Sequence, residues 1–376
     1  MTDMPMPARK PARPFFSSGP CAKPPGYSPD KFPTDSLGRS HRAKIGKARL
    51  AYCIELMREL LQLPDTHRLG IVPGSDTGAF EMAMWTMLGA RPVTTLAWES
   101  FGEGWVSDAV KQLKLDPKVL RADYGKLADL SQVDWSSDVL FTWNGTTSGV
   151  RVPNAEWIPA SREGLSFADS TSAVFAYDID WDKIDVATFS WQKVLGSEGG
   201  HGVLILGPRA VERLESFTPD RPLPKVFRLT KGGKLIEGIF TGATINTPSM
   251  LAVEDAIFAL EWGKSAGGLD GMKARAQANA AALDKIVQER DWLGHLATDP
   301  ATRSITSVCL TVEGADADFI KAFAKLLEGE GAAFDIAGYR DAPPGLRIWC
   351  GATVDTADIE ALGPWLDWAW ANLKAA

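Results

Sequence analysis

The chain of 376 residues has no apolar run near the roughly 18–20 residues that a membrane-spanning helix needs, so no membrane partner is expected. Its N-terminus, MTDMPMPARKPARPFF, is proline-rich and lacks the apolar stretch of a secretory signal, which makes the cytoplasm the expected compartment. Cysteine is scarce: Cys21, Cys53, Cys309 and Cys350 are scattered without CxxC or metal-type spacing, and read as small buried hydrophobes. Histidine is as scarce, and none of His41, His67, His201 and His295 pairs at i, i+4, so a zinc site is not expected. Positive charge is in deficit. A net charge of −7 argues against a general nucleic-acid binder, while leaving room for a local basic pocket that takes a small anion.

What is present describes a folded protein, with 45% apolar and 23% charged residues. A helix is expected across HRAKIGKARLAYCIELMRELLQL, where Ile45, Leu50, Ile54, Met57 and Leu61 share one face and Pro64 ends the run. Strand and helix signals then alternate from RLGIVPGSDTGAF to HGVLILG, the pattern of a mainly parallel sheet flanked by helices. A strong helix follows over 248–262, and GKSAGGLDG marks a boundary. Beyond it, helix, strand, helix, strand and helix predict a smaller α+β unit. The expected division is an extended arm over 1–16, a large domain over 17–262 and a small domain over 263–376.

In open α/β sheets, ligands collect at loops beyond the carboxyl ends of the strands. Four such loops carry chemistry here. In PGSDTGAF, Gly74, Ser75, Asp76 and Thr77 stand where a strand hands over to a helix, the setting of an anion site or of a plain helix cap. It is not a P-loop, because the GKS/T signature is missing. ESFGEGW offers Trp105, able to stack on a flat ligand or to pack in the core. WNGTTSG is small and polar after an apolar strand. Finally, Asp169 follows the strand LSFA, and Lys193 lies 24 residues later after DVATFSW. Such a pair fits a Schiff-base lysine with a partner for a pyridinium nitrogen.

In this order, these pieces resemble the class V aminotransferase group of fold-type I pyridoxal phosphate enzymes, and within it the phosphoserine aminotransferases. The resemblance runs from SSGP near residue 17 to LRIWCG near 350, with SHR (40–42), ADSTS, SWQKVLG and INTPS (245–249) the most specific segments. It implies a cofactor, pyridoxal 5'-phosphate, bound as a Schiff base on Lys193, with Asp169 at the ring nitrogen, Trp105 stacked on the ring and Thr146 at the ring hydroxyl. It further implies Ser75, Asp76, Thr77 and Gln192 around the cofactor phosphate. Asn246 and Thr247 would reach the phosphate in the other subunit, so a homodimer with shared active sites is implied. Arg347 would grip the substrate α-carboxylate. His41 and Arg42 of the partner subunit, together with Arg340, would take the substrate phosphate.

The implied activity is transfer of the amino group of L-glutamate to 3-phosphohydroxypyruvate, giving O-phospho-L-serine and 2-oxoglutarate. Two departures remove positive charge near that phosphate: Tyr339 precedes Arg340 where the family has histidine, and SDTG replaces a loop that carries an arginine. The alternatives are a serine– or alanine–glyoxylate aminotransferase of the same group, a cysteine desulfurase, and a cofactor-binding protein without catalysis. His201 is read as structural. Trp365, Trp368 and Trp370 are read as core or dimer packing.

Overall fold

Residues 4–375 are described by a computed structural model. The apolar runs become the strands β1 (Arg68–Pro73), β2 (Val93–Ala97), β3 (Lys118–Arg121) and β4 (Asp138–Thr142), a short hairpin of β5 (Asn144–Gly145) and β6 (Val150–Arg151), then β7 (Ser166–Asp169), β8 (Val186–Ser190) and β9 (His201–Leu206). Seven of them form one sheet in the order β1-β9-β8-β7-β4-β2-β3. The strands from β3 through β8 pair in parallel, while β9 runs antiparallel to both β8 and β1. Every residue of β4, β7, β8 and β9 is buried, as expected for strands covered on both faces.

The expected first helix is α1 (Lys44–Leu60), which buries Leu50, Cys53, Ile54, Met57 and Leu60. It is followed by α2 (Ser75–Met87), α3 (Ser100–Ser107), α4 (Pro208–Ser216), α5 (Met250–Ser265) and α6 (Gly268–Gln288). Helix α5 runs on to Ser265 and α6 begins at Gly268, so the Gly-rich segment is mostly helical. Only the break itself needs glycine, with Gly267 at φ 101°. A hairpin of β10 (Thr230–Lys231) and β11 (Lys234–Leu235) precedes α5. The smaller unit is an antiparallel sheet of β12 (Leu293–His295), β13 (Ser307–Val312) and β14 (Gly345–Trp349), with α7 (Ala317–Gly329) and α8 (Thr356–Ala375) packed on each other. Trp365 is fully buried and Trp370 stacks on Trp292 at 4.6 Å, so these tryptophans belong to this chain's own core.

The N-terminal arm is tied down well before SSGP. The Trp365 indole donates to the Arg9 carbonyl (2.8 Å), Phe334 N–H to Pro14 (2.8 Å) and Trp349 N–H to Phe16 (3.0 Å). Proline removes the arm's own N–H donors but leaves its carbonyls free to accept. This path carries Ser18, Gly19 and Pro20 to the carboxyl ends of the sheet strands.

At the opposite, amino end of the strands, buried ion pairs hold the sheet. Asp185, just before β8, receives Arg162 (Nη2 to Oδ1 3.0 Å), Arg209 (3.0 Å) and the Ser166 N–H (2.9 Å). Because Asp185 and Arg162 are both buried, truncating one leaves a charge without a partner. Asp185→Ala is expected to cost about 3–5 kcal/mol of unfolding free energy in chemical denaturation. A loss under about 1 kcal/mol would mean that the arginines find other partners.

Candidate active site

The first turn of α2 begins from two left-handed residues, Gly74 (φ 88°) and Ser75 (φ 56°), an uncommon state for a serine. Their N–H groups both donate to the Gly200 carbonyl (3.2 Å), which pins the loop to the start of β9. The N–H groups of Asp76 and Thr77 belong to the open first turn, where no intrahelical acceptor exists. Turn and helix end together make a nest suited to an anion.

This nest opens on a cavity of about 400 Å³ at the carboxyl ends of β4, β7 and β8. Ser75, Asp76, Thr77, Trp105, Thr146, Asp169, Gln192 and Lys193 all line it, so eight of the residues singled out in the sequence meet in one place. Asp169 ends β7 and accepts from the Trp105 indole (3.2 Å) and from the Thr171 N–H (3.1 Å). Trp105 packs on Phe80 at 4.5 Å and lines the cavity as well. Thr146 donates to Ser172 (2.9 Å), and its carbonyl accepts from Ser307 of β13 (2.7 Å), which joins the small sheet to the site.

Lys193 follows β8, and its Nζ donates to the Ser18 carbonyl. Burial lowers its pKa, and the Arg347 charge lowers it further, while Cys21, Asp169 and Glu99 act the other way. Gly19 is a position where only glycine fits: at φ 143° a Cβ would lie 2.5 Å from Lys193 Nζ. Cys21 lies on the same path, and burial pushes its thiol up to about 12, so it is no nucleophile at neutral pH.

Arg347 is placed on β14 opposite Cys309, with its guanidinium 5.5 Å from the Tyr339 ring and its Nε without a partner. Tyr339 also packs on Phe101 (5.8 Å), whose ring lies 6.0 Å from Lys193 Nζ. The Tyr339 ring lies equally 5.5 Å from the Arg340 guanidinium, and Arg347 itself is not part of the cavity lining. Arg340 is exposed, pairs with Asp341 (3.6 Å), and stands outside the cavity lining. His41, Arg42, Asn246 and Thr247 do not line it within one chain either. His201 is structural: it stacks on Trp191 (5.0 Å) and accepts the Ser249 N–H (3.1 Å), anchoring the segment that carries Asn246 and Thr247.

Glu99 is a site residue that sequence reasoning passed over in favour of Trp105. Its buried carboxylate accepts from Gly102 N–H (2.8 Å) and from the Thr147 hydroxyl (2.8 Å), tying the Trp105 helix to the Thr146 loop. Burial pushes its pKa up to about 7 against those donors. An acidic residue directly before a glycine-rich helix start was the available signal, since that is a capping position.

Several buried polar atoms around the cavity have no hydrogen-bond partner among the described residues: Asp76 Oδ1, Thr142 Oγ1, Thr171 Oγ1 and Gln192 Oε1. Buried polar groups are normally satisfied, so such a cluster marks a place for a polar ligand. An anion nest, an aromatic wall, a carboxylate and a deactivated lysine charge suit a flat, phosphorylated ring with a basic nitrogen and an amine-reactive carbon.

Comparison with known proteins agrees with this geometry. Residues 108–348 match the family model "Aminotransferase class-V". A phosphoserine aminotransferase of Methanosarcina barkeri is 56% identical over 369 residues, covering 98% of this chain and 100% of its own. Among solved structures, the phosphoserine aminotransferase of Bacillus circulans subsp. alkalophilus superposes with a TM-score of 0.80 at 20% identity, covering 97% of this chain and 100% of its own. An alanine–glyoxylate aminotransferase of Nostoc sp. gives 0.79 at 18% identity, covering 98% and 97%. These two establish the fold alone, whereas the family model and the Methanosarcina relative establish descent. The chain belongs to the class-V aminotransferase family, and its close relatives there are phosphoserine aminotransferases.

Proposed function

We propose that this aminotransferase uses pyridoxal 5'-phosphate to move the amino group of L-glutamate to 3-phosphohydroxypyruvate, forming O-phospho-L-serine and 2-oxoglutarate. The observation that carries this reading is the convergence of Lys193, Asp169 and Trp105 on one cavity whose floor is the α2 anion nest. Ser75, Thr77 and Gln192 would hold the phosphate, Thr146 the ring hydroxyl and Asp169 the ring nitrogen. When bound, the cofactor supplies an electron-accepting ring and a carbon that condenses with amines.

The chain's own residues supply the rest. Burial keeps Lys193 Nζ neutral at a lower pH than an ordinary lysine, so it can take the proton from the substrate Cα and return it. Arg347 offers a guanidinium fork with a free Nε to the substrate α-carboxylate. Trp105 fixes the Asp169 carboxylate by its indole N–H, which keeps negative charge directed into the cavity.

The substrate phosphate needs cations that one chain does not bring to the cavity. Arg42 is exposed and makes no ion pair among the described residues. Leu251, at the start of α5, is 54% exposed beside the Asn246–Thr247 segment. Both suit a homodimer in which His41 and Arg42 serve the site of the partner subunit.

The test is optical. The protein loaded with pyridoxal phosphate is expected to lose its visible band with glutamate and to regain it with 3-phosphohydroxypyruvate. Recovery with glyoxylate but not with the phosphorylated acid would move the substrate assignment to the glyoxylate aminotransferases.

A further inference from the structure

Asp76 is the second residue of α2, a position where a carboxylate ordinarily faces outward and steadies the helix end. Here it turns inward. It is 7% exposed, its Oδ1 has no hydrogen-bond partner, and it lines the same cavity as Asp169. Its side-chain neighbours are the Asp169 carboxyl and the Thr171 and Thr188 hydroxyls, and the two hydroxyls act against the effect of burial and of Asp169. Asp169 already accepts two N–H donors, from Trp105 and Thr171.

The other charged groups do not relieve this contact. Lys193 faces Asp169 from the end of β8, and Glu99 is a further acid near Asp169. On β9, which packs against α2, His201 is held towards its neutral form by burial. Two adjoining buried carboxylates without a cation between them cannot both stay ionised.

We propose that Asp76 and Asp169 form a proton-sharing carboxyl pair, with the proton resident on Asp76 and the negative charge on Asp169. Asp76 takes one proton from solvent as the chain folds, and its O–H points to the Asp169 carboxylate. Burial first, and then the Asp169 charge, raises Asp76 well above the usual carboxylate range. Two consequences follow from the chemistry. A neutral Asp76 leaves the α2 nest free of negative charge, so it still attracts a phosphate. The O–H also draws charge from Asp169 and weakens its hold on a cationic ring nitrogen. Asp76 is therefore a positioning residue. The pair itself stands on the chain alone, while its effect on the ring rests on the cofactor reading above.

The sign of the pH effect is fixed by the direction of the shift. A carboxyl whose folded pKa is raised binds more protons in the folded state, so stability falls as pH rises from the unfolded value towards the folded one. In the cofactor-free protein, Asp76→Asn removes that penalty. Its melting temperature is expected to exceed the parent's by about 2 °C or more near pH 8, with the gain shrinking towards pH 5. In an Asp169→Asn background the same substitution is expected to gain less, because burial still raises Asp76 while the Asp169 charge no longer does. Asp169→Asn alone should flatten the parent's fall in melting temperature between about pH 5 and pH 8, which keeps a second route open if Asp76→Asn does not fold.

A gain independent of pH, an equal gain in both backgrounds, or an unchanged slope in Asp169→Asn would overturn the pair. In the loaded protein, Asp76→Asn is expected to shift the pH midpoint of the visible band by roughly half a unit or more. If the protein takes up no pyridoxal phosphate, the cofactor reading fails while the cofactor-free melts still decide the pair.

Discussion

On the proposed reading, Lys193→Ala is expected to lower the rate of amino transfer from glutamate by about 10⁴-fold or more, because it would remove both the amine proposed to bind the cofactor and the base proposed at the substrate Cα. The fall should appear in kcat, and added small amines such as methylamine should restore part of it by supplying a diffusible base. The fold is expected to survive. Lys193 Nζ is buried against the Ser18 carbonyl, and burial disfavours its charged form, so its loss removes a desolvation cost along with one hydrogen bond. A melting temperature within a few degrees of the parent is the matching control. Retention of amino transfer above about one hundredth of the parent rate would mean that another group moves the proton.

Asp169→Ala is expected to cost about 10³-fold in kcat/KM and to weaken binding of the cofactor, since on the proposed reading it removes the carboxyl group that would face the ring nitrogen in a water-poor site. It also frees the Trp105 indole and the Thr171 N–H, which both donate to Asp169. Trp105→Phe separates the two effects. It keeps an aromatic face and removes only the N–H, so a loss of about tenfold is expected, the size of one hydrogen bond to a charged acceptor. Equal losses in the two variants would place the importance in ring packing and not in the carboxylate.

Asp185→Ala tests the other end of the same strands. Asp185 and Asp169 stand at opposite ends of adjoining strands, one buried in arginine pairs and one facing the cavity. The amino ends of the sheet carry stabilising ion pairs, while the carboxyl ends carry unpaired polar atoms. That division is how an open α/β sheet separates stability from chemistry.

Much of the architecture was legible because it depends on local rules. Apolar runs of strand length, amphipathic spacing from Leu50 to Leu60, and glycine-serine turns each act over a few residues, and the sheet with helices on both faces follows from their alternation. The short strand β3, the hairpin at 230–235 and strand β12 gave no such signal, since each is brief or half exposed, whereas helix α4, with Pro208 at its start and Ala210 and Leu214 on its buried face, carried one that was passed over. The arm shows the same limit from the other side. Its prolines read as extended chain, and only the Trp365, Phe334 and Trp349 donors, more than 300 residues away in sequence, decide where it lies.

The candidate site divides in the same way. Lys193, Asp169, Trp105 and the 74–77 loop could be named from residue type and from their place after strands, because a strand's carboxyl end is itself a local feature, whereas Thr146 came only from the family resemblance. Pairing across the fold could not be read. The direction of the Asp76 side chain depends on α2 lying over β8, and the role of Glu99 depends on Thr147 coming within hydrogen-bonding distance. The meeting of Arg340 and Arg347 over one Tyr339 ring, each guanidinium 5.5 Å from it, depends on the loop before β14 folding back on that strand. The sequence by itself determined which chemistry this chain is expected to carry, because its residue types stand in an order that resembles a known family. The tertiary structure alone decided which of those groups touch, because a contact between distant residues is set by sheet order and helix packing, and no short stretch of chain encodes either.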